Sequence, residues 1–244
     1  MAGGPPEWQA GFARARPPVL ALRPPPNRLG WSDVNLHVIP AGPIRTNAYL
    51  LADPGRGEAV LIDAPGDVWA EVQPLLQREG CRLVELWLTH GHWDHLQGAA
   101  AVVRATGATV RAHADDRLLI ESPEVMKQFM TGDLRLEPVP VAHWVVSGEH
   151  FTALGLDVEV RHVPGHCPGS VLFYFPALRT AFAGDALFRG GVGRTDFPGG
   201  DFPTLEKSIR TQIYTLPPDT TIHPGHGPAT TVGEERATNP HVRG

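Results

Sequence analysis

The chain has 244 residues, 42% of them hydrophobic and 19% charged, a balance that supports a large α/β domain and excludes a wholly disordered polymer. With 21 basic and 26 acidic residues the formal charge is −5, which argues against a general electrostatic grip on nucleic acid. No apolar run reaches the ~18 residues that suggest a membrane span, and two cysteines supply no disulfide framework, so a cytoplasmic location is the default expectation.

Residues 1–30 carry Pro5, Pro6, Pro17, Pro18, Pro24, Pro25 and Pro26 without a periodic apolar pattern, and read as an extended N-terminal arm. Val19–Leu22 is too short for a secretory leader. The domain itself, residues 31–244, begins near Trp31. Strands are predicted at Val34–Ile39, Asn47–Ala52, Ala59–Asp63 and Val84–Leu88, with a helix over Asp67–Glu79 stopped by Gly80. A small-residue helix is predicted over Leu96–Ala105. Strands follow at Val158–His162, Val171–Phe175 and Thr180–Ala183, then a helix over Phe202–Tyr214 with Asp201 as its cap. Strands first, then strands alternating with helices, suggest two sheets with helices outside.

The strongest local feature is Thr89-His90-Gly91-His92-Trp93-Asp94-His95, between a predicted strand and a predicted helix. In extended chain alternate residues face the same way, so His90 and His92 can reach one metal together. Where the chain turns into the helix, Asp94 and His95 can be aimed at a second. The ordinary alternative, a polar surface turn, does not account for three histidines and an aspartate in six residues. Three further turns present ligand types between glycines and prolines: His166 in Pro164-Gly165-His166-Cys167-Pro168, Asp185 after Gly184, and His226 in Pro224-Gly225-His226-Gly227-Pro228. Imidazole and carboxylate suit zinc, and also iron or manganese.

These residues resemble the metallo-β-lactamase superfamily. His90, His92, Asp94 and His95 meet its H-x-H-x-D-H pattern, and its downstream His, Asp and His match His166, Asp185 and His226. The resemblance runs from about Asp33 to Pro240 and implies a four-layer αβ/βα sandwich with two metals at the edge of the sheets. It implies that His90, His92 and His166 hold one metal, that Asp94, His95 and His226 hold the other, and that Asp185 bridges them.

Antibiotic-hydrolysing members commonly place Cys at the position of Asp185 or otherwise alter this ligand set, and flavodiiron members place an acidic residue at that of His92. RNA-processing members add a large inserted domain. Each comparison points away from those branches. Gly184–Asp201, with Gly193-Arg194-Thr195-Asp196-Phe197, is similar to the glyoxalase II-like group, which hydrolyses hydroxyacylglutathione thioesters. The ending after His226 looks like its short members and leaves no room for the helical domain that supplies much of the glutathione contact. The expected activity is thioester hydrolysis by a metal-bridging hydroxide, with two divalent cations, zinc first, and Asp94 and Asp185 as the catalytic carboxylates. The expected partner is a small-molecule thioester, with no nucleic acid or membrane; a homo-oligomer is compatible.

Asp63, at a strand end, is placed to fix the tautomer of a ligand histidine or to serve as a turn carboxylate. Arg194 suits a substrate carboxylate or a surface salt bridge, and Phe197 packing or substrate contact. Cys167 reads as a small buried residue. His113, His143, His150, His162 and His223 show no ligand pattern. Glu121–Gly132, with Met126, Phe129 and Met130, reads as a core helix or a lid. Two rival functions remain: a mononuclear iron persulfide dioxygenase using His90, His166 and Asp185, and a non-catalytic metal-binding module whose arm recruits a partner.

Overall fold

Three apolar segments between Asn35 and Ile62 pair antiparallel in sequence order, because each is joined to the next by a short turn. They form β2 (Asn35–Ala41), β3 (Thr46–Asp53) and β4 (Glu58–Ile62); the preceding β1 (Leu20–Ala21) adds to the edge through Leu20↔Val38 and Ala21↔His37. The computed structural model describes residues 20–21, 33–129 and 135–244. The rest of the N-terminal arm therefore lies outside the described residues, as does Met130–Gly132 of the segment read as helix or lid. Helix α1 (Trp69–Glu79) makes the crossover from β4 to a parallel neighbour, β5 (Arg82–Trp87). It buries Val72, Leu75 and Leu76, runs through Pro74, and ends at Gly80 in the left-handed region, φ 67°.

The helix predicted over Leu96–Ala105 is divided into a turn, α2 (Trp93–Leu96), and α3 (Ala99–Thr106). The cause is local: Gly98 N–H donates to the Ala64 carbonyl, and Ala64 N–H to the His95 carbonyl. The backbone at Gly98 lies so close to the 64–65 loop that a Cβ there would collide with the Pro65 carbonyl. The sheet continues with β6 (Thr109–His113) and β7 (His143–Val145), both parallel. Between them α4 (Arg117–Glu121) gives way at Pro123 to a 3₁₀ stretch, Pro123–Phe129, rather than one continuous helix.

The second sheet is built from β8 (His150–Ala153), β9 (Leu156–His162), β10 (Val171–Phe175) and β11 (Thr180–Gly184). After a small hairpin, β12 (Leu187–Phe188) and β13 (Gly191–Val192), come α5 (Phe202–Ser208), β14 (Thr221–Pro224), β15 (Thr230–Thr231) and α6 (Val232–Thr238). Its strand order is β15-β14-β11-β10-β9-β8. The Asp201 side chain caps α5 by accepting from Thr204 N–H at 2.9 Å, but the predicted helix changes after Ser208 to a wide π turn, Ile209–Ile213. The sequence reading missed β6, β7, β8, β14 and β15, which are short and carry His or Thr where a longer apolar run gives the signal.

The two sheets face each other across an apolar layer containing Trp87, Phe173, Phe175 and Phe182, with Trp87 and Phe173 ring centroids 5.0 Å apart. One outer layer packs α1 and α3 on the first sheet; the other packs α5, the π turn and Val232 of α6 on the second. The architecture is the αβ/βα sandwich. Among the described residues no helix is long and apolar enough to cross a membrane.

Candidate metal centre

Strands β4 and β5 of one sheet are parallel, as are β11 and β14 of the other, so their following loops gather at one edge of the sandwich. Asp63 follows β4, the Thr89–His95 segment follows β5, Asp185 follows β11 and His226 follows β14. His166 enters from the turn between β9 and β10.

His90, His92 and His166 bring one nitrogen each within 4.8 Å of one another, and Asp94, His95 and His226 form a second such group. Asp185 lies between them. Its Oδ1 is 3.3 Å from His95 Nε2, and its Oδ2 is 3.5 Å from His226 Nε2 and 3.6 Å from His166 Nε2. Three buried atoms at the centre, His90 Nε2, His95 Nε2 and Asp185 Oδ1, make no hydrogen bond. Converging buried polar atoms left without a partner are costly, and imidazole with carboxylate is the donor set of zinc, iron and manganese. The residues fit a pair of divalent cations.

Charge within the cluster is consistent with that fit. Burial pushes His92 down to about 3, helped by His166, and holds His90 well below the usual imidazole value, helped by His95, His92 and His166. Burial also opposes charge on His95 and His226, but carboxylates outweigh it. Asp94, Asp63 and Asp185 hold His95 well above its ordinary value, and Asp185 with Asp94 raises His226 to about 10. Conversely His95 and His226 hold both Asp94 and Asp185 below the usual carboxylate range despite burial. These shifts favour protons on His95 and His226 against the acidic half of the cluster, where bound cations would replace them.

The supporting contacts orient each ring. Asp63 Oδ2 lies 2.8 Å from His95 Nδ1 and also accepts Thr89 Oγ1–H, while Oδ1 accepts Thr89 N–H. A proton on His95 Nδ1 leaves Nε2 facing the centre. His166 Nδ1 lies 2.7 Å from the Arg194 carbonyl, which directs its Nε2 inward in the same way. Thr46 Oγ1 donates to Asp94 Oδ2 at 2.7 Å. Strand β3 also braces the last loop: Tyr49 OH and Asn47 Nδ2 donate to the Pro224 carbonyl, and Asn47 N–H to that of Gly225. A Cβ on Gly225 would collide with Asp185 Oδ1 and the His95 ring, so only glycine lets this backbone pass so near the centre.

The sequence reading did not find Thr46, Asn47, Tyr49 or Asp116. Each acts through a partner far along the chain, and only Thr89, beside His90, carried a local hint. The remaining residues singled out in the sequence lie as follows. Arg194 directs its fork at Asp196, Nε and Nη2 each 2.6 Å from a carboxylate oxygen, and its guanidinium lies 3.9 Å above the Phe197 ring. Phe197 meets His92 edge-on at 5.4 Å. Cys167 is fully buried. His143 and His150 pair with Glu149 and Asp157 on the surface, and His223 is buried against Tyr49 and Phe182. His113 and His162, unrelated in sequence, come together beside Asp115. Their rings stack at 4.1 Å, His162 Nε2 lies 2.7 Å from the Pro168 carbonyl and His113 Nδ1 accepts Asp115 N–H, so those nitrogens are already engaged.

An αβ/βα sandwich with a His/Asp cluster at its sheet edge defines a class, and the family model confirms it: the chain belongs to the metallo-β-lactamase superfamily, matched over residues 41–226. The chain is 36% identical over 212 residues to the hydroxyacylglutathione hydrolase GloC of Haemophilus influenzae, covering 86% of this chain and 98% of that one. Among solved structures it resembles the BLEG-1 B3 metallo-β-lactamase, with TM-score 0.79, 37% identity and 86% and 100% of the two chains covered. It also resembles TTHA1623 in a di-iron-bound form, with TM-score 0.74, 38% identity and 84% and 99% covered.

Proposed function

We propose that this metallohydrolase is a binuclear thioester hydrolase acting on glutathione-type thioesters. His90, His92 and His166 would hold one cation, Asp94, His95 and His226 the other, and Asp185 both. The observation that carries this reading is the pair of complete ligand groups sharing one carboxylate. A mononuclear site built on His90, His166 and Asp185 would leave the converging Asp94, His95 and His226 group without a cation. The 36% identity to a hydroxyacylglutathione hydrolase supports the substrate class.

Two divalent cations in such a site lower the pKa of bound water towards about 7 and polarise a carbonyl oxygen. The other contributions come from the chain. Asp94, fixed by Thr46, is placed to orient the attacking water through a hydrogen bond. Asp63 and the Arg194 carbonyl hold His95 and His166 in the tautomers the site needs. Water adds at the thioester carbon, the C–S bond breaks, and the products are a carboxylic acid and a thiol. Thiolate is a good leaving group, so no strong general acid is required. Zinc is the first expectation for the cations, and the likeness to a di-iron-bound protein supports iron as the second.

Metal quantification on the purified protein, together with thiol release from S-lactoylglutathione, tests the reading. About two ions per chain and turnover abolished by chelation are expected. One iron with persulfide-dependent oxygen uptake overturns it. Opening of a chromogenic cephalosporin without thioester cleavage also overturns it, in favour of the β-lactam hydrolysis that the name of the similar BLEG-1 B3 metallo-β-lactamase suggests.

A further inference from the structure

Beside His92 the 3₁₀ stretch Pro123–Phe129 and the Phe197 loop enclose a cavity of about 180 Å³. Its walls are mostly apolar: Leu119, Val125, Met126, Phe129 and Phe197 line it, and the His92 imidazole and the Gln128 amide are its polar side chains. No charged side chain among the described residues lines it. Phe197 joins the cavity to the metal centre, since its ring meets His92 at 5.4 Å and Phe129 at 5.2 Å. The nearest guanidinium, on Arg194, is paired bidentately with Asp196 and stacked on Phe197. An anionic substrate group would have to displace Asp196 to reach it.

We infer that this cavity receives the acyl part of the substrate and that the preferred acyl group is apolar, a short aliphatic chain or an aryl ring, rather than a 2-hydroxyacyl group. The inference rests on the thioester reading above. A thioester carbonyl held at the His90–His92–His166 group would turn one of its two substituents towards this wall, because Phe197 meets His92. The glutathione half of a thioester carries ionised carboxylates and an ammonium group, which an apolar cavity excludes. With His92 assigned to a cation by the reading above, a lactoyl hydroxyl buried there has only the Gln128 amide as a side-chain partner. The volume suits a group of benzene size, since apolar protein cavities of roughly 150 Å³ accept benzene.

The test compares kcat/KM for metal-loaded protein on S-lactoyl-, S-acetyl-, S-butanoyl-, S-hexanoyl- and S-benzoylglutathione, and on the acetyl thioesters of ethanethiol and hexanethiol. Each buried methylene is worth about fourfold, so hexanoyl should exceed acetyl by at least about tenfold even if only two are buried. Val125→Trp, which fills the cavity, should collapse that ratio; Phe129→Ala should shift the optimum to longer chains. S-Lactoylglutathione as the best substrate overturns the inference, and so does a gain seen only along the alkyl-thiol pair. Binding of S-hexyl- and S-methylglutathione, followed by the ε-methyl resonance of Met126, separates the two proposals. If no thioester is cleaved but S-hexylglutathione binds at least tenfold tighter and shifts that resonance, the catalytic reading fails while the apolar subsite stands. Equal binding without a shift removes the subsite.

Discussion

Asp116 and Cys167 meet in the interior, with the thiol 3.1 Å from both carboxylate oxygens. The same carboxylate accepts Gly91 N–H at 2.7 Å and Gly169 N–H at 2.6 Å. It therefore ties the loop holding His90 and His92 to the turn holding His166. Burial and this carboxylate push the Cys167 thiol far up, which removes it as a nucleophile at neutral pH. Asp116→Ala leaves two buried amides unpaired, at about 1–3 kcal/mol each. A stability loss of about 3 kcal/mol or more is expected in urea unfolding of metal-free protein, with weaker metal retention. Cys167→Ala removes one weak donor and should cost about 1 kcal/mol or less. Equal losses for the two variants would overturn the carboxylate's role as the tie between the loops.

Asp63 adopts φ 58°, a conformation that disfavours most side chains. It is held there by three contacts of its carboxylate, to Thr89 N–H, Thr89 Oγ1 and His95 Nδ1. Asn tolerates this backbone region, so Asp63→Asn separates the charge from the strain. The expected outcome is a 10–100-fold loss of affinity for the cation nearest His95, about the usual effect of removing a carboxylate behind a ligand histidine. Competition with a chromogenic chelator measures it. Unchanged affinity would mean that His95 needs no partner to present Nε2.

Much of this His/Asp cluster was legible because its members lie in turns of Gly, Pro, His and Asp, whose residue types declare both the backbone and the chemistry. The strands Val171–Phe175 and Thr180–Gly184 were legible for a related reason, being buried throughout. The division at Gly98 was not, because its cause is a hydrogen bond to Ala64, over thirty positions away. Thr46, Tyr49 and Asp116 were hidden in the same way: a threonine, a tyrosine or one aspartate of a pair has no local signature. Arg194 shows the opposite failure, since its partner Asp196 is two residues on, yet nothing in the sequence sets that pairing above a substrate carboxylate.

Cation binding should release protons. Carboxylates outweigh burial to hold His95 well above the ordinary imidazole value and to raise His226 to about 10, which favours the protonated form of both rings in the metal-free chain. Ligand imidazoles must be neutral, so loading both positions expels about two protons per chain. Calorimetry in buffers of different ionisation enthalpy counts them. Since the free chain holds those protons more firmly as pH falls, metal affinity should weaken on acidification. A count near zero would mean that these two rings are already neutral before metal arrives.

His223 makes a pH-dependent contribution of its own. It lies in β14, stacked on Phe182 at 5.0 Å and edge-on to Tyr49 at 5.2 Å, and burial pushes its pKa from 6.5 down to about 4. Between those values the unfolded chain takes up a proton that the folded chain refuses, so stability is complete above pH 6.5 and falls as pH drops towards 4. The shift corresponds to about 3 kcal/mol across the window. His223→Leu removes the titrating group while keeping an apolar side chain between the rings. Unfolding free energies of metal-free wild type and variant, measured from pH 7.5 to 4, should converge or cross as the wild type alone loses that increment. Parallel curves would require His223 to take up its proton without leaving the core.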